Sequence, residues 1–240
     1  MTESTDDNIW DTRYEYYVQL ADLLSVIAQE RADVCIDEIT LNRWRDLMGI
    51  MREIDTFADS QKDSPVQIEV ILEYLQNFDI FGERYPSIAN EAISSDTRRD
   101  LLRRTRNILL LGRRAATTTS NRRLVTLRGA EAVQTAEIFA DSASPEVLSQ
   151  ENFSGVFMPL LREMGVAACF LDSLHDADDD YQAGQLGKKP TIAYKARLSA
   201  GIMRRVPALV RTCTKPRVLK EIGRAAKIHA GRRMHQRRLS

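Results

Sequence analysis

Apolar residues in this chain recur at three- and four-residue intervals almost throughout, and strand-like alternation is nearly absent. Tyr14, Tyr17, Val18, Leu20, Ala21, Leu24 and Ile27 predict a helix over 10–29, and Trp44, Leu47, Met48, Met51, Ile54 and Ala58 predict a second over 41–60. Ser64-Pro65 ends the second and opens a third over 66–78, with proline at a favourable first-turn position. Asp96 is the expected cap of a basic helix running through Arg114, and Ser120 or Asn121 the cap of one reaching Ala140. Pro145 and Ser154-Gly155 mark loops or a break. A further helix is expected from Phe157 to a stop between Gly184 and Pro190, followed by two more over 191–211 and 216–234. With no internal repeat and no Gly-rich phosphate loop, the pattern predicts a single all-α domain over 1–240. Residues 1–8 and 232–240 are expected to be disordered.

Composition narrows the class without fixing the function. Hydrophobic content of 43% and charged content of 28% are ordinary for a soluble globular chain. Cys35, Cys169 and Cys213 are scattered and fit neither a disulfide framework nor metal-ligand spacing. The acidic, polar start MTESTDDNIW does not read as a signal peptide, and no stretch approaches 18 uninterrupted apolar residues, so a cytoplasmic location is expected. The net charge of zero hides an asymmetry: from Leu186 to Ser240 there are 16 Lys plus Arg against one acid, Glu221. Such a segment either packs on the acidic body or contacts anionic lipid or nucleic acid.

Candidate chemistry resides in two aspartate ladders, Asp55 and Asp59 in DTFAD, and Asp172, Asp176 and Asp180 in DSLHDADDDYQAG. On one continuous helix, positions i, i+4 and i+8 fall within about 80° and span about 12 Å, and Asp179 joins the same face. Carboxylates so placed repel. Apolar neighbours Val166, Ala167, Ala168, Phe170, Leu171 and Leu174 imply an interior setting for Asp172, as Ile54 and Phe57 do for Asp55, and interior carboxylates need a cationic partner. Mg²⁺, which binds through one or two carboxylates and keeps positions for water and phosphate, suits this pattern. An EF-hand does not: its glycine position holds Tyr181 and its closing glutamate position Gly187.

A DxxxD helix, a later three-aspartate helix ending in Gly184 and an all-helical chain together resemble the isoprenoid synthase superfamily of class I terpene synthases. Within it the pattern is most similar to tetraprenyl-β-curcumene synthase-like and squalene/phytoene synthase-like proteins. The first motif departs from many relatives in lacking a doubled aspartate. The resemblance implies an antiparallel helical bundle in which all five aspartates hold Mg²⁺ and act catalytically on a prenyl diphosphate. Loss of diphosphate would give a carbocation that is cyclised or coupled, by a terpene synthase (a lyase) or a prenyltransferase of isoprenoid biosynthesis.

By the same resemblance Arg128 is the diphosphate-sensing arginine, Lys188, Lys189 and Arg197 complete the anion cage, and Phe57, Phe139, Phe170 and Tyr194 face the cation. The physical logic agrees: cations neutralise the leaving group, and aromatic faces stabilise positive charge. A homodimer and peripheral membrane contact are compatible with this reading; nucleic acid is not expected. The competing reading is a non-catalytic helical protein that uses its basic C-terminal segment to bind a partner, nucleic acid or a membrane surface.

Overall fold

The computed structural model describes residues 7–60, 85–88, 93–182 and 184–224, with side chains described from residue 18 onward and not for 54–60. Among them every regular element is helical: α1 (Asp7–Ala32), α2 (Glu38–Ser60), a 3₁₀ turn (Pro86–Ile88), α3 (Ser95–Thr117), α4 (Asn121–Asp141), the short α5 (Pro145–Leu148), a π turn (Phe153–Phe157), α6 (Met158–His175), the short α7 (Ala177–Gln182) and α8 (Ile192–Cys213). Residues 216–224 are helical as well. The expected helix over 66–78, residues 225–234 of the expected last helix, and the terminal segments 1–6 and 232–240 lie outside the described residues; residues 7 and 8, expected to be disordered, open α1.

Caps account for most of the boundaries. Asp37 precedes α2 and accepts from Thr40 N at 2.6 Å. Ser94, rather than Asp96, caps α3 by accepting from Thr97 N, while Asp96 sits in the first turn where the helix dipole favours it. Ser120 caps α4, Ser144 caps α5, and Thr191 caps α8. Among the described residues the expected breaks before Glu38, Ser95, Asn121 and Ile192 are present within a few residues, the second ladder holds a break that was not expected, and the Ser64-Pro65 break lies outside the described residues.

That ladder is not one helix. α6 ends at His175, Asp176 takes a non-helical φ of −99° and ψ of 8°, and α7 begins at Ala177. Continuation of α6 would set Asp176, Asp178, Asp179 and Asp180 against the negative end of its dipole. Starting α7 sets Asp178, Asp179 and Asp180 in a first turn, where the dipole attracts them. Gly184 closes α7 with φ +76°, a conformation suited to glycine, and Gln185 N donates to Asp180 O at 2.8 Å while Gly184 N donates to Tyr181 O at 3.1 Å.

The helices pack as antiparallel neighbours. Arg104 on α3 reaches Glu137 and Asp141 near the end of α4, and Arg162 at the start of α6 reaches the same Glu137. Further along, Cys169 Sγ meets Arg128 O, and Gly201 of α8 lies under the Phe170 ring. The start of α2 likewise meets the end of α4: Arg43 donates to Ser142 O, and Trp44 Nε1 donates to Phe139 O at 2.9 Å.

Three buried clusters result. Trp44 stacks on Phe157 and meets Phe139 edge-on, within a core shared by α1, α2, α4 and α6. A second joins Leu47 and Ile50 to Tyr85, Leu101 and Ile138. The third holds Leu124, Leu127, Val166, Phe170, Ala177, Tyr194 and Leu198, and the second ladder lies over it. The segment Phe153–His175 is long and apolar enough to cross a membrane by length and composition, yet Phe153, Phe157, Leu161, Val166 and Phe170 within it form core contacts.

Candidate functional site

Over the third cluster, α4, α6, α7 and α8 bring one cation and several carboxylates together. Arg128 on α4 donates through Nη2 to Asp180 Oδ2 on α7 and through Nη1 to Glu131 Oε2 one turn on, both at 3.1 Å. The Arg128, Glu131 and Asp180 side chains are 13%, 21% and 18% exposed, so these are largely desolvated pairs. Cys169 donates its thiol to Arg128 O at 3.4 Å from α6. The Tyr194 ring from α8 is fully buried beside the guanidinium.

The charges perturb one another. Burial, reinforced by Asp172, Asp176 and Glu131 and opposed by Arg128, pushes the Asp180 carboxyl up to about 6. Burial first, then Glu131 and Asp172, pushes the Cys169 thiol up to about 11, which keeps it protonated and unreactive. Burial disfavours the charged Arg128, but Glu131 and Asp180 outweigh it and raise its pKa further. Burial likewise raises Tyr194. Among the described residues, Arg128 Nε and the Tyr194 hydroxyl have no partner of good geometry, though the two groups lie close enough to interact with each other. Buried donors of this kind ordinarily find a partner.

The other ladder members are more open. Asp172 is exposed, which corrects the expected interior setting: the buried positions around it are Val166, Ala167, Phe170 and Ser173, whereas Ala168, Leu171 and Asp172 share the outward face of α6. Asp176 lies 2.9 Å from His175 Nδ1, and Asp178 pairs with Lys195 at 2.8 Å. Asp179 is exposed.

The remaining candidates divide. Phe170 and Tyr194 belong to the cluster beneath Arg128, whereas Phe139 packs on Trp44 in the other core. Lys188 and Lys189 are exposed in the loop after α7. Arg197 is exposed on α8, in a row with Arg204 and Arg211. Asp55 and Asp59 lie on the last turns of α2, and their side chains, with that of Phe57, fall outside the described residues.

Glu131, absent from the expected site, is the residue that sequence reasoning missed; its signal was the i,i+3 spacing from Arg128. Among the described residues no group of three or more His, Cys, Asp or Glu converges tightly enough to hold a metal alone. A shallow pocket of about 200 Å³ lies elsewhere, lined by Ser25, Gln29, Glu30, Cys35 and Arg217 among others, and shares no residue with the carboxylate cluster.

Fold and site together define an all-helical protein with a buried arginine clamped between carboxylates at one end of an antiparallel bundle. No protein-family model, no curated protein and no solved structure matches the chain.

Proposed function

We propose that this chain is a Mg²⁺-dependent enzyme of the isoprenoid synthase type that ionises a prenyl diphosphate to a carbocation, which is then cyclised or coupled. The observation that carries the reading is the largely buried pairing of Arg128 with Asp180 inside the second aspartate ladder. A guanidinium already shared between two carboxylates is a charge-assisted donor of the kind that binds phosphate oxygens.

The donor set suits Mg²⁺. It consists of carboxylate oxygens, and a Mg²⁺ site takes one or two of them with the rest from water and substrate phosphate, so no three-residue cage is required. Asp172 and Asp176, open to solvent and in electrostatic range of Asp180, are the described ligands of choice, with Asp55 and Asp59 entering from α2. Such an ion, when bound, neutralises charge on the leaving diphosphate.

The chain's own residues do the rest. Arg128 binds a diphosphate oxygen, and Asp180 and Glu131 orient its guanidinium while the site is empty of substrate. Lys188 and Lys189 approach from the loop and add positive charge. Phe170 and Tyr194 make the ground beneath Arg128 apolar and water-poor, with Arg205 lying over the Phe170 ring.

The test is incubation of the full chain with prenyl diphosphates of increasing length, with and without Mg²⁺, followed by analysis of hydrocarbon products and released diphosphate. Mg²⁺-dependent release that disappears in Asp172→Asn and Arg128→Lys is expected. Absence of turnover across the series would overturn the reading.

A further inference from the structure

α8 carries no acidic residue and presents an apolar surface to solvent. Its inward face, Tyr194, Leu198 and Gly201, is buried against α4 and α6. Its outward face holds Ile192 at 90% exposure, Met203 at 65% and Val210 at 52%, with Ala196, Ala200 and Pro207 exposed between them. At 100° per residue Ile192, Ala196, Met203 and Val210 lie within about 40° of one another, forming a stripe about 27 Å long. Arg197, Arg204 and Arg211 follow at seven-residue spacing, about 80–120° round the helix, and line one edge of that stripe. All three are exposed and make no ion pair among the described residues. Their neighbours differ: Arg205 pairs with Glu163 and covers the Phe170 ring, and Lys195 pairs with Asp178.

We infer that this face of α8 docks on an anionic lipid surface, with the Ile192–Met203–Val210 stripe entering the headgroup boundary and the arginine row meeting lipid phosphates. An amphipathic surface of this kind gains from apolar burial and from charge attraction at once. The charge pattern selects this occupant over two others. Nucleic acid would reward the arginines but leaves a large aliphatic stripe without a role. A second copy of the same face would set like-charged rows close together in a symmetric pair. The inference does not rest on the proposed enzymatic reaction, because it is read without substrate or Mg²⁺.

The experiment is flotation of the full chain with vesicles of phosphatidylcholine alone or mixed with phosphatidylglycerol. Binding only to the anionic vesicles is expected. Arg204→Glu with Arg211→Glu should weaken it at least tenfold, since each basic contact is worth about fivefold. Ile192→Ser with Met203→Ser and Val210→Ser, which leaves charge unchanged, should weaken it to a similar degree. Arg99→Glu with Arg103→Glu, the same charge change at exposed positions of α3, should retain binding within about twofold. Circular dichroism of each variant guards against misfolding. The inference is overturned if the α3 variant loses as much as the α8 variant. It is equally overturned if the serine variant floats like the unaltered chain while an oligonucleotide binds more tightly than vesicles, or if the α8 substitutions convert a dimer to a monomer without changing flotation.

Discussion

Arg128 Nη2 on α4 lies 3.1 Å from Asp180 Oδ2 on α7, across 52 positions of chain, and each side chain is less than one-fifth exposed. The pair ties the short acidic helix to α4. It also leaves Asp180 with a raised pKa, because burial and the neighbouring Asp172, Asp176 and Glu131 outweigh the arginine. The cation is therefore shared among more negative charge than it neutralises, which is the electrostatic condition for recruiting another cation.

That imbalance predicts unequal costs for removing the two partners. Arg128→Met strands Asp180 and Glu131 as desolvated carboxylates and should cost about 3–5 kcal/mol. Asp180→Asn leaves Arg128 paired with Glu131 and removes repulsion within the ladder, so a change within about 1 kcal/mol is expected. Urea unfolding at neutral pH measures both. Equal losses would mean that Glu131 does not hold the arginine by itself.

A second prediction concerns acid sensitivity at the start of α2. Burial raises the Asp37 carboxyl, but hydrogen bonds from Ser144 and Thr40, with Arg43 nearby, more than offset it and hold the pKa below 3.8. A depressed folded pKa means the native state binds its proton more weakly, so Asp37 contributes stability above pH 3.8 that is lost as pH falls through the folded value. Asp46 has the opposite sign: burial raises it despite hydrogen bonds from Ser87, and its contribution declines as pH rises above 3.8. Asp37→Ala should cost about 1–2 kcal/mol at pH 7 and less at pH 3, by loss of the cap. Asp46→Asn should cost less at pH 7 than Asp37→Ala. Melting curves at both pH values give the comparison, and a cost for Asp37→Ala that grows toward pH 3 would contradict it.

Much of the helical order was legible because period and caps agree: Ser120 and Thr191 stand where the apolar pattern begins, and both cap. The ladder was read less well, for two physical reasons. Spacing of i, i+4 and i+8 says nothing about a helix end between the aspartates, and it is the dipole of α6 that favours a new start at Ala177. Sequence neighbours of Asp172 are apolar, but a helix sorts neighbours by angle: Ser173 is buried while Leu171 and Asp172 point out. Arg128 enters through the family resemblance, and its clamp by Glu131 and Asp180 needed three dimensions.

Glycine positions offer a third test, of packing alone. A Cβ at Gly201 would lie 2.5 Å from the Phe170 ring, and one at Gly187 would lie 2.7 Å from the Ala116 carbonyl of α3. Neither neighbour is the free end of a flexible chain, so alanine at either site should cost about 1–3 kcal/mol. Gly155, in the π turn, has nothing within 4 Å of its Cβ position, and Gly155→Ala should be neutral or slightly stabilising. Chemical denaturation of the three variants ranks them. A Gly187→Ala variant as stable as Gly155→Ala would refute the close approach of the 186–189 loop to α3.

The last prediction joins the ladders to ligand binding. A ligand that binds only the folded state raises its melting temperature by mass action, so Mg²⁺ with inorganic diphosphate should stabilise the unaltered chain more than either alone. Asp172 is exposed and adds to the repulsion on Asp180, so Asp172→Asn should abolish the joint shift while leaving the ligand-free protein as stable or slightly more stable. Asp55→Asn tests the other helix: if the first ladder on α2 shares the ion, its loss should also reduce the shift. Differential scanning calorimetry with and without the two ligands reads each variant. A ligand-free Asp172→Asn protein that unfolds would assign the ladder to structural ion pairing, and an undiminished shift in both variants would place diphosphate elsewhere on the chain.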